Sequence, residues 1–202
     1  MKKQLTLIAA LIMVAFSYGQ KMKVVNGGFD FIKDQKEVNV EFVYDNLTLY
    51  KDNRTNEQYV KERTAELEEK SRGKGKAWAK KWESSKELIY QPKFLELVNK
   101  YLSNKKGIYF SEELPGSKYT LIVDVKWIYP GYNVGVMRKG AKLSTHLTFV
   151  ETANRENVAL EITAKNAPGD RYGGSFSNED RIGEGFAKTG KTLAGLVLKK
   201  AF

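Results

Sequence analysis

The chain has no cysteine, one histidine and four prolines among its 202 residues. The missing cysteine excludes disulfides, thiol nucleophiles and cysteine-ligated zinc, and with them the attachment residue of a lipoprotein signal. With His146 alone, no constellation that needs two imidazoles can form. Proline and glycine are too scarce for a collagen-like or low-complexity chain. No segment approaches the roughly 18 consecutive apolar residues of a membrane-spanning helix. What is there is an ordinary folding composition, 42% hydrophobic, 12% aromatic and 29% charged. Its length suffices to bury one core without covalent staples. The balance is basic, +10 in formal charge.

The N-terminus reads as an address. Lys2 and Lys3 precede the apolar run Leu5 to Phe16, interrupted in polarity only by Thr6. Ser17-Tyr18-Gly19 then gives a small-x-small exit before Gln20. That order predicts a cleavable signal peptide over residues 1–19, too short to span a bilayer. The expected product is an exported soluble protein, periplasmic or secreted and not a lipoprotein, with residues 20–202 as one α+β domain. Cleavage takes Lys2 and Lys3 out of the net charge.

Alternation of apolar residues predicts strands at Val38 to Tyr44, Tyr119 to Tyr129, Leu143 to Phe149 and Leu160 to Ala164. Glu151 to Asn157 would turn the third of these into the fourth, and Phe29 to Ile32 is the expected hairpin partner of the first. Thr55 and Gln58 form a capping box for a charged helix, Asn56 to Lys70. A second helical stretch runs from Ala77 to Leu88. A third starts near Pro92 and stops at Gly107. Consecutive strands bracketed by helices predict an α+β fold, a largely antiparallel sheet with helices on one face and a C-terminal helix.

Gly185 to Thr192 matches the phosphate-loop pattern G-x-x-x-x-G-K-[ST]. The chemistry needs a loop between a strand and a helix, with free amides around the phosphates. Here no strand precedes the motif, and Ser177 with Asp180 caps a helix that is already running. Ile182, Phe186, Thr189, Leu193 and Val197 fall on one face of that helix, beside a small-residue stripe of Gly183, Ala187, Gly190 and Ala194. Gly185, Gly190, Lys191 and Thr192 are therefore read as helix residues and not as a nucleotide site. No cofactor, metal site or catalytic constellation is expected.

The sharpest charge feature is Lys70 to Trp82. It holds Lys70, Arg72, Lys74, Lys76, Lys80 and Lys81 with Trp78 and Trp82, and no acid. Cations interleaved with indole rings suit an anionic partner such as lipopolysaccharide, an acidic glycan or lipid headgroups, or another envelope protein. The competing reading has the cations in solvent and both tryptophans in the core. Nucleic acid is an unlikely partner for an exported chain. The leading expectation is a non-enzymatic binding or assembly component. One alternative is a small hydrolase or transferase using carboxylates such as Asp124, Asp170 or Glu184. Another is a structural subunit that oligomerises through the small-residue stripe. The loop Ala167 to Ser177, with Asp170, Arg171 and Tyr172, and the connection Pro130 to Gly140 read as turns. His146 reads as a surface-strand histidine.

Tyr119 to Val125, Pro130 to Met137, Phe149 to Asn154 and Arg181 to Lys191, together with Trp78, Trp82 and Gln91 to Phe94, resemble an uncharacterised family of small exported proteins of the Gram-negative envelope. That resemblance carries over no catalytic residue. The element order is also similar to the N-terminal domain of TolB-type periplasmic proteins and to periplasmic domains of outer-membrane assembly lipoproteins. The missing anchoring cysteine sets the chain apart from the latter. Topological likeness implies a fold and not a function.

Overall fold

Alternation in four long segments builds the sheet. The computed structural model describes residues 20–169 and 177–202; the expected signal peptide and Asp170, Arg171 and Tyr172 lie outside them. The strands are β1 (Lys21–Gly27), β2 (Glu37–Val43), β3 (Thr48–Leu49), β4 (Arg54–Thr55), β5 (Tyr109–Ser111), β6 (Tyr119–Tyr129), β7 (Tyr132–Asn133), β8 (Arg138–Lys139), β9 (Lys142–Glu151) and β10 (Val158–Pro168). The main sheet runs β1-β10-β9-β6-β2-β5, with β3 paired to both β4 and β6. Pairing is antiparallel from β1 through β6, then parallel from β6 to β2 and from β2 to β5. The fold is α+β, with a largely antiparallel sheet.

Among the described residues, four α-helices complete it: α1 (Asn56–Lys70), α2 (Lys74–Ser85), α3 (Gln91–Lys106) and α4 (Asn178–Lys200). The Thr55 hydroxyl accepts the Gln58 amide at 3.2 Å and the Gln58 side chain accepts the Thr55 amide at 2.9 Å, so α1 begins where the capping box predicts. Glu68 near the end of α1 accepts the amides of Gly73, Gly75 and Lys76, which caps the start of α2. A π-helical turn, Lys86–Tyr90, joins α2 to α3. Gly107 ends α3 in the left-handed region.

The core lies between the sheet and α3 and α4. Val38 and Val40 of β2, Leu121, Val123 and Val125 of β6, and Leu143, Leu147 and Phe149 of β9 meet Phe94, Val98 and Leu102 of α3. Ile182, Phe186, Leu193 and Val197 of α4 are buried in the same cluster. Among the described residues, no helix is long and apolar enough to cross a membrane.

Two sequence expectations change. Asp30–Ile32 is a 3-10 turn and not a strand; Phe29 and Ile32 plug the core, and β2 takes only parallel neighbours. In β6 the alternation does not run unbroken to Tyr129. A bulge between Val125 and Trp127 shifts the phase, so Ile128 is buried while Trp127 and Tyr129 turn away from the core.

Candidate functional site

The basic segment is helical from Lys74 onward, and its two residue types part company. Trp82 is 1% exposed and donates its indole N–H to the Asn56 side chain at 3.0 Å. Trp78 stacks on Trp82 at 5.7 Å between centroids, and both rings meet Tyr59 edge-on. The tryptophans thus join α2 to α1. The cations Lys70, Arg72, Lys74, Lys76, Lys80 and Lys81 are all exposed. Lys70 pairs with Glu66 at 2.5 Å, and Lys81 reaches the buried Glu179 at 3.2 Å. Lys80 lines a cavity of about 620 Å³ at the end of β2, beside Tyr44, Glu83 and Lys86. Trp82 faces the core and Trp78 is half-buried, while the cations of the segment lie in solvent.

The β6 bulge creates a different constellation. Trp127 donates its indole N–H to the Tyr50 carbonyl at 2.6 Å, holding the turn after β3 against the end of β6. Tyr50 and Asn53 in that turn both have positive φ, 59° and 52°. Tyr50 then packs edge-on against Tyr129 at 5.7 Å and Tyr59 at 5.5 Å. These three rings, with Lys51, Asp52, Arg54, Glu62, Arg63, Glu66 and Lys139, line a cleft of about 570 Å³.

Its charges are placed on its rings. The Arg54 guanidinium lies 5.3 Å from the Tyr50 centroid and the Lys139 ammonium 5.1 Å from the Tyr129 centroid. Arg54 also holds Asp52 at 2.5 Å and Glu62 at 2.6 Å, and Arg63 holds Glu66 at 2.5 Å. The Arg54 hydrogen bond keeps the Asp52 carboxyl below its ordinary range. Lys70 and Arg63 draw that of Glu66 down to about 2. Burial pushes the Tyr59 phenol up. The cleft therefore brings aromatic rings, cations and ionised carboxylates to one place.

The other singled-out residues do not converge on it. Asp124 pairs with Lys126 and sits across from His146 on β9; His146 lies 3.8 Å from Glu161 on β10. Glu184 pairs with Lys93 of α3. Gly185 to Thr192 lies wholly inside α4, where Thr189 and Thr192 donate to the carbonyls four residues back. Lys191 projects over the Tyr101 ring at 5.7 Å. The small-residue stripe faces the π-helical turn and α3: a Cβ on Gly183 would stand 2.8 Å from the Ile89 side chain and 3.0 Å from that of Lys93. That stripe is covered within the chain and offers no face to a second copy.

The cleft escaped sequence reasoning because its residues come from a turn, a helix and three strand ends. The one local signal is Tyr50-Lys51-Asp52-Asn53-Arg54, turn residues bracketed by an aromatic and an arginine.

No family model matches the chain, and no curated protein matches it in sequence. Among solved structures it is similar to the PelC dodecamer from Paraburkholderia phytofirmans, with 11% identity over 87% of this chain and 97% of that one and a TM-score of 0.39. It is also similar to a neuraminyllactose-binding hemagglutinin homolog from Helicobacter pylori, with 13% identity, 87% of each chain covered and a TM-score of 0.26. Likenesses that weak leave the function to be argued from the residues of this chain alone.

Proposed function

We propose that the chain is a non-enzymatic, exported binding protein of the cell envelope, and that the cleft between Tyr50 and Tyr129 holds a saccharide bearing acidic groups. The observation that carries this reading is the placement of Arg54 and Lys139 over the rings of Tyr50 and Tyr129. A sugar ring presents C–H groups to an aromatic face while its acidic substituent meets the adjacent cation. Asp52 and Glu62, already oriented by Arg54, accept sugar hydroxyls. The exposed cations from Lys70 to Lys81 add attraction at a distance.

Asp52 and Glu66 are held ionised. A glycosidase acid needs a raised pKa, so these carboxyls favour binding over hydrolysis. Asp124 and Glu184, each tied to its own lysine on a different layer, do not form a catalytic pair.

Calorimetric titration of the purified chain with oligogalacturonate, and with neutral cello-oligosaccharides as control, tests the reading. The acidic oligomer binds and the neutral one does not. Tyr129→Ala and Arg54→Ala each weaken binding by about tenfold or more. No binding of either oligomer, or affinity unchanged in both variants, removes the cleft from the account.

A further inference from the structure

The segment between β6 and β9 ends in an amphiphilic tip. β7 and β8 form a two-stranded ribbon apart from the main sheet, with Tyr132 opposite Lys139 and Asn133 opposite Arg138. The base of the ribbon is closed at Gly131, whose φ of 69° and 2.2 Å from a built Cβ to the Lys139 carbonyl admit no side chain. The Val134 amide donates to the Met137 carbonyl at 3.0 Å across the tip. This ordered turn holds Val134, Val136 and Met137 out in solvent, 61%, 99% and 58% exposed, with Tyr132 beside them. Three aliphatic side chains presented together on a protruding turn serve no core, and clusters of this kind mark interaction sites.

The charge carried by the segment itself is of one sign. From Val125 to Val150 the chain contains no aspartate or glutamate, while Lys126, Arg138, Lys139 and Lys142 lie in that stretch. All four are exposed. An apolar point, an aromatic just behind it and a cationic base repeat the layering of a lipid surface: acyl boundary, interface and anionic headgroups. The ribbon is far too short to span a bilayer and suits the boundary region only.

We propose that the β7–β8 ribbon docks the protein onto an anionic lipid bilayer, with Val134, Val136 and Met137 entering the headgroup–acyl boundary and Arg138 and Lys142 meeting lipid phosphates. Lys139 belongs to both the ribbon and the cleft wall, so docking brings the mouth of the cleft to the membrane surface. The docking stands whether or not the cleft binds a saccharide.

Cosedimentation of the purified chain with vesicles of phosphatidylethanolamine and phosphatidylglycerol, and with phosphatidylcholine vesicles, provides the test. The chain sediments with the anionic vesicles, and added salt weakens the association. Val136→Asp and Met137→Asp, at exposed side chains outside the core, each lower the bound fraction about tenfold while the melting temperature stays put. Arg138→Gln with Lys142→Gln flattens the salt dependence. Equal binding to neutral vesicles, or tip variants that bind like the parent, overturn the proposal. A concentration-dependent dimer that Val136→Asp abolishes also overturns it, by showing that the tip is covered by a second copy. The saccharide titration rests on Tyr129 and Arg54, so failure there and failure here are separate results.

Discussion

Gly190 of α4 lies against the Phe94 carbonyl of α3: a Cβ built on Gly190 would stand 2.4 Å from that oxygen. The two helix backbones meet at this point, and the glycine that completes a phosphate-loop pattern in the sequence is the residue that lets them do so. Gly190→Ala must push the helices apart, at a cost of about 1–3 kcal/mol. Gly195, on the same helix with nothing within 4 Å, gives the opposite result. Gly195→Ala stabilises by roughly 0.4–1 kcal/mol, because alanine has less unfolded-state entropy to lose. Urea unfolding of the two variants reads the contrast directly.

Trp82 is a structural residue despite its basic neighbours. Trp82→Phe removes the hydrogen bond to Asn56 and part of the contact with Trp78 and Tyr59, costing about 1–3 kcal/mol. Chemical denaturation measures the loss. An unchanged midpoint would contradict the burial of this ring.

The lysines of α2 separate into two classes. Lys74→Gln, Lys76→Gln and Lys80→Gln change stability by less than about 0.5 kcal/mol, as exposed charges do. Lys81→Gln costs more, about 1 kcal/mol, because Glu179 is 4% exposed and loses a charged partner. Thermal melts of the four single variants rank them.

Acid weakens the fold through its paired carboxylates. Arg155, in the turn between β9 and β10, holds Glu41 of β2 by two hydrogen bonds of 2.5 and 2.6 Å, and Glu41 titrates below its ordinary range for that reason. Its folded pKa is depressed, so its stabilising effect is complete above the unfolded value and is lost as pH falls through the folded one. Glu66, drawn down to about 2, behaves alike. Stability therefore falls as pH drops through about 4.5, where unfolded glutamates are half protonated and the paired ones are still ionised. Arg155→Ala returns the Glu41 midpoint to the ordinary range, which a carboxyl-resolved NMR titration detects.

The sequence exposes elements whose information is local. Strict alternation marks β6, β9 and β10, the Thr55–Gln58 pair marks the start of α1, and the four-three-four-four spacing from Ile182 to Val197 marks the buried face of α4. Other features depend on partners far along the chain. β1 has only Met22 and Val24 as inward positions, too few for a periodic signal, and becomes a strand by pairing with β10. Phe29 to Ile32 looks like strand by composition, yet Phe31 packs on Tyr119 and Phe149, which belong to other strands. The cleft depends on one bulged residue that reverses the direction of Tyr129, and alternation cannot show where its own phase slips.

β2 has a consequence for how the chain reaches this fold. Its two neighbours are β5 and β6: Val38 pairs with Phe110 and Val40 with Leu121. Three helices separate β2 from both of them. No hairpin can stabilise β2 early, and its apolar side chains stay without sheet partners until β5 and β6 are present. Such pairings close large loops and form slowly. Synthesis therefore leaves a sticky segment near the start of the described chain waiting on residues beyond its midpoint, and this interval is when a nascent molecule most needs protection from its neighbours.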